Sequence, residues 1–73
     1  MDKADAAVWG CLQYHWESAY IFEYDTTPGI RKPFGVRRRD DQARKLESDT
    51  PDEIGNLITE DYRGDPVPRE VAP

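Results

Sequence analysis

The chain has 73 residues, a formal net charge of −5 and a single cysteine, Cys11. This length allows one domain, with a core worth only about 3–5 kcal/mol of net stability. It excludes an internal disulfide and, with His15 as the sole histidine, a zinc site built within the chain, while a hydrophobic fraction of 37% with eight aromatic side chains argues against wholesale disorder.

Residues 1–15 read as a flexible or partly helical arm. Met1 to Ala7 is small and polar. Val8, Leu12 and Tyr14 or His15 form one helical stripe, but Gly10 inside it costs about 1 kcal/mol against alanine. A short helix and an ordered arm stand level there. From Trp16 the period changes to two: Trp16, Ser18, Tyr20, Phe22 and Tyr24 point one way, and Glu17, Ala19, Ile21, Glu23 and Asp25 the other. Aromatic and β-branched residues alternating with acids predict a half-buried strand. Pro28-Gly29 then fits the central positions of a type II turn. A second strand is expected over Phe34–Arg38, with Phe34, Val36 and Arg38 on one face and Pro33 marking its start. A short third strand, Arg44 to Glu47 with Leu46 inward, follows the loop Asp40-Asp41-Gln42-Ala43.

The last element is a capped amphipathic helix from Thr50 to Gly64. In the capping box Thr50-Pro51-Asp52-Glu53, the Thr50 hydroxyl accepts from the Glu53 amide and the Glu53 carboxylate reaches back to the Thr50 amide. Pro51 suits the first helical position, and Asp52 and Glu53 complement the positive end of the dipole. Ile54, Leu57, Ile58 and either Asp61 or Tyr62 keep the i, i+3, i+4 spacing. Gly64 suits the residue beyond the C-terminus, and Pro66 and Pro68 bar continuation.

These elements predict an α+β fold: a small three-stranded antiparallel meander packed on one C-terminal helix, with a short N-terminal helix as an option. The domain is expected over 16–65, with 66–73 an extended tail. The apolar side of the sheet (Tyr20, Phe22, Phe34, Val36, Leu46) is expected to meet Ile54, Leu57 and Ile58.

Signals for catalysis are weak. Cys11 and His15 share a helical face, but no third orienting group or oxyanion site accompanies them. The paired acids Asp40-Asp41 and Glu60-Asp61 do not follow a calcium-loop pattern, and no glycine-rich phosphate loop is present. No enzymatic activity, cofactor or metal is expected.

The charge layout says more. Between Ile30 and Lys45 seven basic residues face two acids, a local +5; since the whole chain is −5, the remainder carries −10. One reading is a basic strand (Arg31, Lys32, Arg37, Arg38, Arg39) beside an aromatic one, arranged to bind single-stranded nucleic acid. The plainer reading pairs Arg37, Arg39 and Lys45 internally with Glu17, Glu23, Asp25 and Glu47. The helix offers a second surface, with Asp52, Glu53, Glu60 and Asp61 outward, suited to a protein partner by charge complementarity and also to self-association as a homo-oligomer. No apolar run approaches the ~20 residues needed to cross a bilayer, and MDKADAAVWGCLQYHW does not read as a signal peptide, so a cytoplasmic protein without membrane contact is expected.

The stretches Trp16-Glu17-Ser18-Ala19-Tyr20, Val36-Arg37-Arg38-Arg39-Asp40, Thr50-Pro51-Asp52-Glu53-Ile54, Asp61-Tyr62 and Pro66-Val67-Pro68-Arg69 resemble a class of short uncharacterised actinobacterial proteins. The order of strands and helix is also similar to that of small proteins that act as partners of helix-turn-helix regulators in the same bacteria. The resemblance implies a cytoplasmic accessory protein and supplies no catalytic residue. The function expected is therefore a non-enzymatic, regulatory protein–protein interaction, with weak nucleic-acid binding through Arg31–Arg39 as the alternative.

Overall fold

A computed structural model of the chain describes residues 1–67. Its order is α1 (Lys3–Trp16), β1 (Tyr20–Tyr24), β2 (Phe34–Arg38), β3 (Lys45–Ser48) and α2 (Pro51–Gly64). The strands form an antiparallel sheet in the order β1-β2-β3. Phe22, Val36 and Leu46 lie in register across it. The expected α+β meander and its C-terminal helix are therefore present, with β2 at its expected bounds.

The N-terminal segment is a helix of 14 residues. Asp2 caps it, its carboxylate accepting the Asp5 N–H at 2.9 Å. Of the readings open for residues 1–15, the helical one forms, because α1 has a surface to pack against. Trp9 is buried, and its ring stands edge-on to Phe22 and Phe34 at centroid distances of 5.1 and 4.9 Å. Leu12 and Trp16 flank it on the same side. This burial offsets the cost of Gly10, which faces open space.

The strand expected from Trp16 starts only at Tyr20. Trp16 ends α1, and the Ala19 N–H donates to the Trp16 carbonyl in the turn that follows. Trp16 instead stacks edge-on against Tyr62 of α2 at 5.2 Å, a contact between residues far apart in the chain. The alternation from Tyr20 onward keeps its parity: Tyr20 is buried and Ile21 half-buried on opposite sides. β3 lies one residue later than expected. Between β1 and β2, Gly29 has φ +84° and the Ile30 N–H donates to the Thr27 carbonyl, as the Pro28-Gly29 turn requires.

α2 begins as expected but is capped differently. Thr50 Oγ1 accepts the Glu53 N–H at 3.3 Å. The Thr50 N–H, however, donates to Ser48 Oγ at 3.2 Å, so the Glu53 carboxylate is not the reciprocal partner. Gly64 is the last helical residue, and Asp65 caps the end with its N–H on the Asp61 carbonyl at 3.0 Å. Thr50→Ala is accordingly expected to cost about 1 kcal/mol, and Glu53→Ala distinctly less. Urea midpoints of the two variants check this; equal losses would restore the reciprocal capping box.

The core is Trp9, Ala19, Tyr20, Phe34, Val36, Ile54, Ile58 and Val67. Leu57, expected inward with Ile54 and Ile58, packs only partly buried at its margin. Gly55 lies where α2 meets α1: a Cβ there would come within 3.2 Å of Leu12 Cδ2. Both helices therefore cover one face of the sheet and leave the other open. Of the expected tail, residues 66 and 67 are described and Val67 is buried; the remainder lies outside the described residues.

Candidate functional site

β2 presents its basic residues to both faces of the sheet. Even positions face the helices, so Arg38 follows Phe34 and Val36 inward and is 1% exposed. A buried guanidinium requires partners for its donors. Arg38 Nε and Nη2 form a fork on Asp40, at 2.9 and 3.0 Å. Its Nη1 donates to Asp61 Oδ2 at 2.7 Å and to the Asp65 carbonyl at 2.6 Å. The Tyr20 hydroxyl donates to the same Asp61 oxygen at 2.6 Å, and Arg44 Nη2 meets Asp61 Oδ1 at 2.7 Å. Arg44 Nη1 also reaches Asp65 at 3.3 Å. One cluster thus ties β1, β2, the β2–β3 loop and the end of α2 together, and no buried side-chain polar atom among the described residues lacks a partner.

The cluster sets its own protonation. Burial alone would raise the Asp61 carboxyl pKa. The hydrogen bonds from Tyr20 and Arg38, with the charges of Arg44 and Arg38, outweigh burial and hold it below the ordinary carboxylate value. The Arg38 hydrogen bond does the same for Asp40. Burial, then the hydrogen bond to Asp61, pushes the Tyr20 hydroxyl well above its ordinary value. The signs give opposite limbs. Asp61 and Asp40 bind fewer protons folded than unfolded, so their stabilisation is present above the ordinary carboxylate value near 3.8 and lost as pH falls through their lower folded values. Tyr20 holds its proton longer when folded, so its contribution is complete below about pH 10 and lost above. Urea midpoints are expected to be flat near neutrality and to fall at both extremes. Tyr20→Phe should remove the alkaline limb and, by taking a hydrogen bond from Asp61, also soften the acid one; an unchanged alkaline limb would show that Tyr20 does not set it.

These contacts correct two assignments. Arg38 was expected in the exposed basic strand and Asp61 on the outward acidic face of the helix. They face each other in the interior, the Asp61 side chain being 5% exposed. The signal was present, since parity places Arg38 with Phe34 and Val36, and helical spacing places Asp61 with Ile54 and Ile58. Arg44 and Tyr20, absent from the candidate residues, complete the cluster.

The other candidates lie on three surfaces. Arg37 points to the open face, where Nε pairs with Glu23 and Nη1 donates to the Gln42 carbonyl at 2.9 Å. The pairing of Arg37 with Glu23 is one that the internal-pairing reading contains. Arg39 is exposed and donates from Nε to the Glu17 carbonyl. Arg31 and Lys32 are exposed in the β1–β2 loop. Asp52, Glu53 and Glu60 are exposed on α2, as expected.

The open face carries Ile21, Glu23, Arg37, Lys45 and Glu47. Beside it the β1–β2 loop overhangs a shallow cleft of ≈ 320 Å³, bordered by Glu23, Asp25, Ile30, Lys32, Lys45 and Glu47. The Lys45 stem crosses its floor above Gly35. Both signs of charge line this cleft, around Ile30, which is 40% exposed; the Tyr24 ring lies on the helix side, packed on Phe34 at 5.0 Å. Cys11 and His15 are both exposed on α1. Among the described residues, no three His, Cys, Asp or Glu side chains form a metal-holding group, and no helix is long and apolar enough to cross a membrane. No family model, curated protein or solved structure matches the chain.

Proposed function

We propose that the protein is a non-enzymatic interaction module of the cytoplasm that binds a protein partner on the open face of the sheet, with the acidic face of α2 as a second contact. The observation that carries this reading is the uncovered sheet face with its mixed-charge cleft. Lys32 and Lys45 against Glu23, Asp25 and Glu47, around exposed Ile30, suit a polypeptide bearing both charges and an apolar side chain. A polyanion would need a field of one sign. Three arginines of the basic window are instead held by carboxylates: Arg37 by Glu23, and Arg38 and Arg44 by Asp61 and its neighbours. Sheet-based docking also agrees with a regulatory accessory role of the kind the sequence resemblance implies.

Affinity capture from the native cell tests this reading. A protein partner retained by the parent chain should be lost with Lys32→Glu and Lys45→Glu together, or weakened by Asp52→Lys with Glu60→Lys. If neither pair changes capture of any protein, the reading fails. Oligonucleotides should remain unbound at physiological salt. Steeply salt-dependent binding, lost on Arg37→Ala with Arg39→Ala, would put the nucleic-acid reading in its place.

A further inference from the structure

The two helices differ in what they show to solvent. α2 carries five charged residues in fourteen positions, whereas α1 carries two, Lys3 and Asp5. An amphipathic helix that covers a small core turns a charged face outward; a helix with few charges on its outer face has less to hold that face in water. The inner face of α1 is accounted for by Val8, Trp9, Leu12 and Trp16. Directly opposite lie Lys3, Ala7, Gly10 and Tyr14, all exposed, followed by the exposed cap residue Glu17. Their spacing of four, three, four and three is that of a helix–helix seam. Tyr14 is 80% exposed, more than any other large hydrophobic among the described residues.

The seam is self-complementary about its midpoint. Gly10 lies midway between Lys3 and Glu17, so an antiparallel two-fold through Gly10 sets each Lys3 against a Glu17, twice by symmetry. Neither residue has an ion partner among the described residues; Glu17 gives only its backbone carbonyl to Arg39. The same operation brings each Tyr14 over the Ala7 turn of the other helix. Nothing lies within 4 Å of the Cβ position at Gly10, so the two backbones are free to approach closely there. A parallel pairing would set Lys3 on Lys3 and Glu17 on Glu17.

We infer that α1 is the interface of a symmetric dimer, in which it packs antiparallel against α1 of a second copy of this chain, with Lys3 meeting Glu17 of the partner subunit. This inference goes beyond the proposed partner-binding role and uses the outer face of α1, which that role does not involve, so the two stand or fall separately. A single pair of four-turn helices is small beside the ≈ 800 Å² per partner of a standard interface, so the dimer is a weak one, formed at the concentrations used for NMR.

Sedimentation equilibrium of the full chain over a wide concentration range tests it. The parent should show a monomer–dimer equilibrium. Lys3→Glu and Glu17→Lys should each raise the dissociation constant about tenfold, because two attractive pairs become repulsive. The double variant should return it to the parent value. Both changes favour the dipole of α1, acid at its start and base at its end, so loss of association cannot be laid to unfolding; circular dichroism checks this. Tyr14→Glu should leave a monomer. A monomer at every concentration, a dimer indifferent to the single changes, or a double variant weaker than either single one would each overturn the inference. So would a chain that stays monomeric alone and pairs only with the helix of a different protein.

Discussion

Asp61→Ala is expected to unfold the domain at 25 °C. Asp61 is the acceptor shared by Tyr20, Arg38 and Arg44. Removing one member of a buried ion pair typically costs 3–5 kcal/mol, because the remaining charge stays buried without its partner. That is about as much as a domain of this size has to lose. The effect should come from the stranded guanidinium more than from any net strength of the pair. Replacing both partners with apolar residues, Arg38→Met with Asp61→Leu, is therefore expected to recover part of the loss, the Tyr20 hydroxyl still lacking its acceptor. Urea unfolding followed by tryptophan fluorescence measures both variants. An Asp61→Ala midpoint within about 0.5 kcal/mol of the parent would mean that the cluster is solvated and contributes as little as a surface pair.

Trp9→Ala should be nearly as damaging. The indole is 7% exposed and stands edge-on to two aromatic rings of the sheet. Loss of a buried tryptophan costs roughly 3–5 kcal/mol in the cavity it leaves, and edge-to-face pairs add to this. α1 has few other anchors: Leu12 and Trp16 are only partly buried. Its release would uncover Phe34 and leave the sheet with α2 alone. Far-UV circular dichroism should show the helical signal falling along with cooperative unfolding. A variant that keeps a sharp transition near the parent temperature would mean that the packing of α1 contributes little to the stability of the domain.

What was legible in the sequence was what a few neighbouring residues determine. The period of two over Phe34–Arg38 placed β2 at its observed ends, because alternation is written into each strand by itself. Pro28-Gly29 named its turn because one residue there must hold a positive φ. Thr50 and Pro51 placed the start of α2, because a cap and a preset φ act within one turn. Order and period together were enough for the α+β class.

The tertiary structure decided which surfaces those elements bury. α1 is settled by aromatic contacts with strands thirteen and more positions away, which outweigh a glycine that local propensity counts against it. Arg38 and Asp61 are separated by 23 positions and carry the charges expected of surface residues. Only their meeting makes burial affordable, since an ion is tolerated inside only with its counter-charge beside it. A sequence read one element at a time assigns each charge to solvent. The fold brings the two together under the helices and leaves the other face of the sheet uncovered.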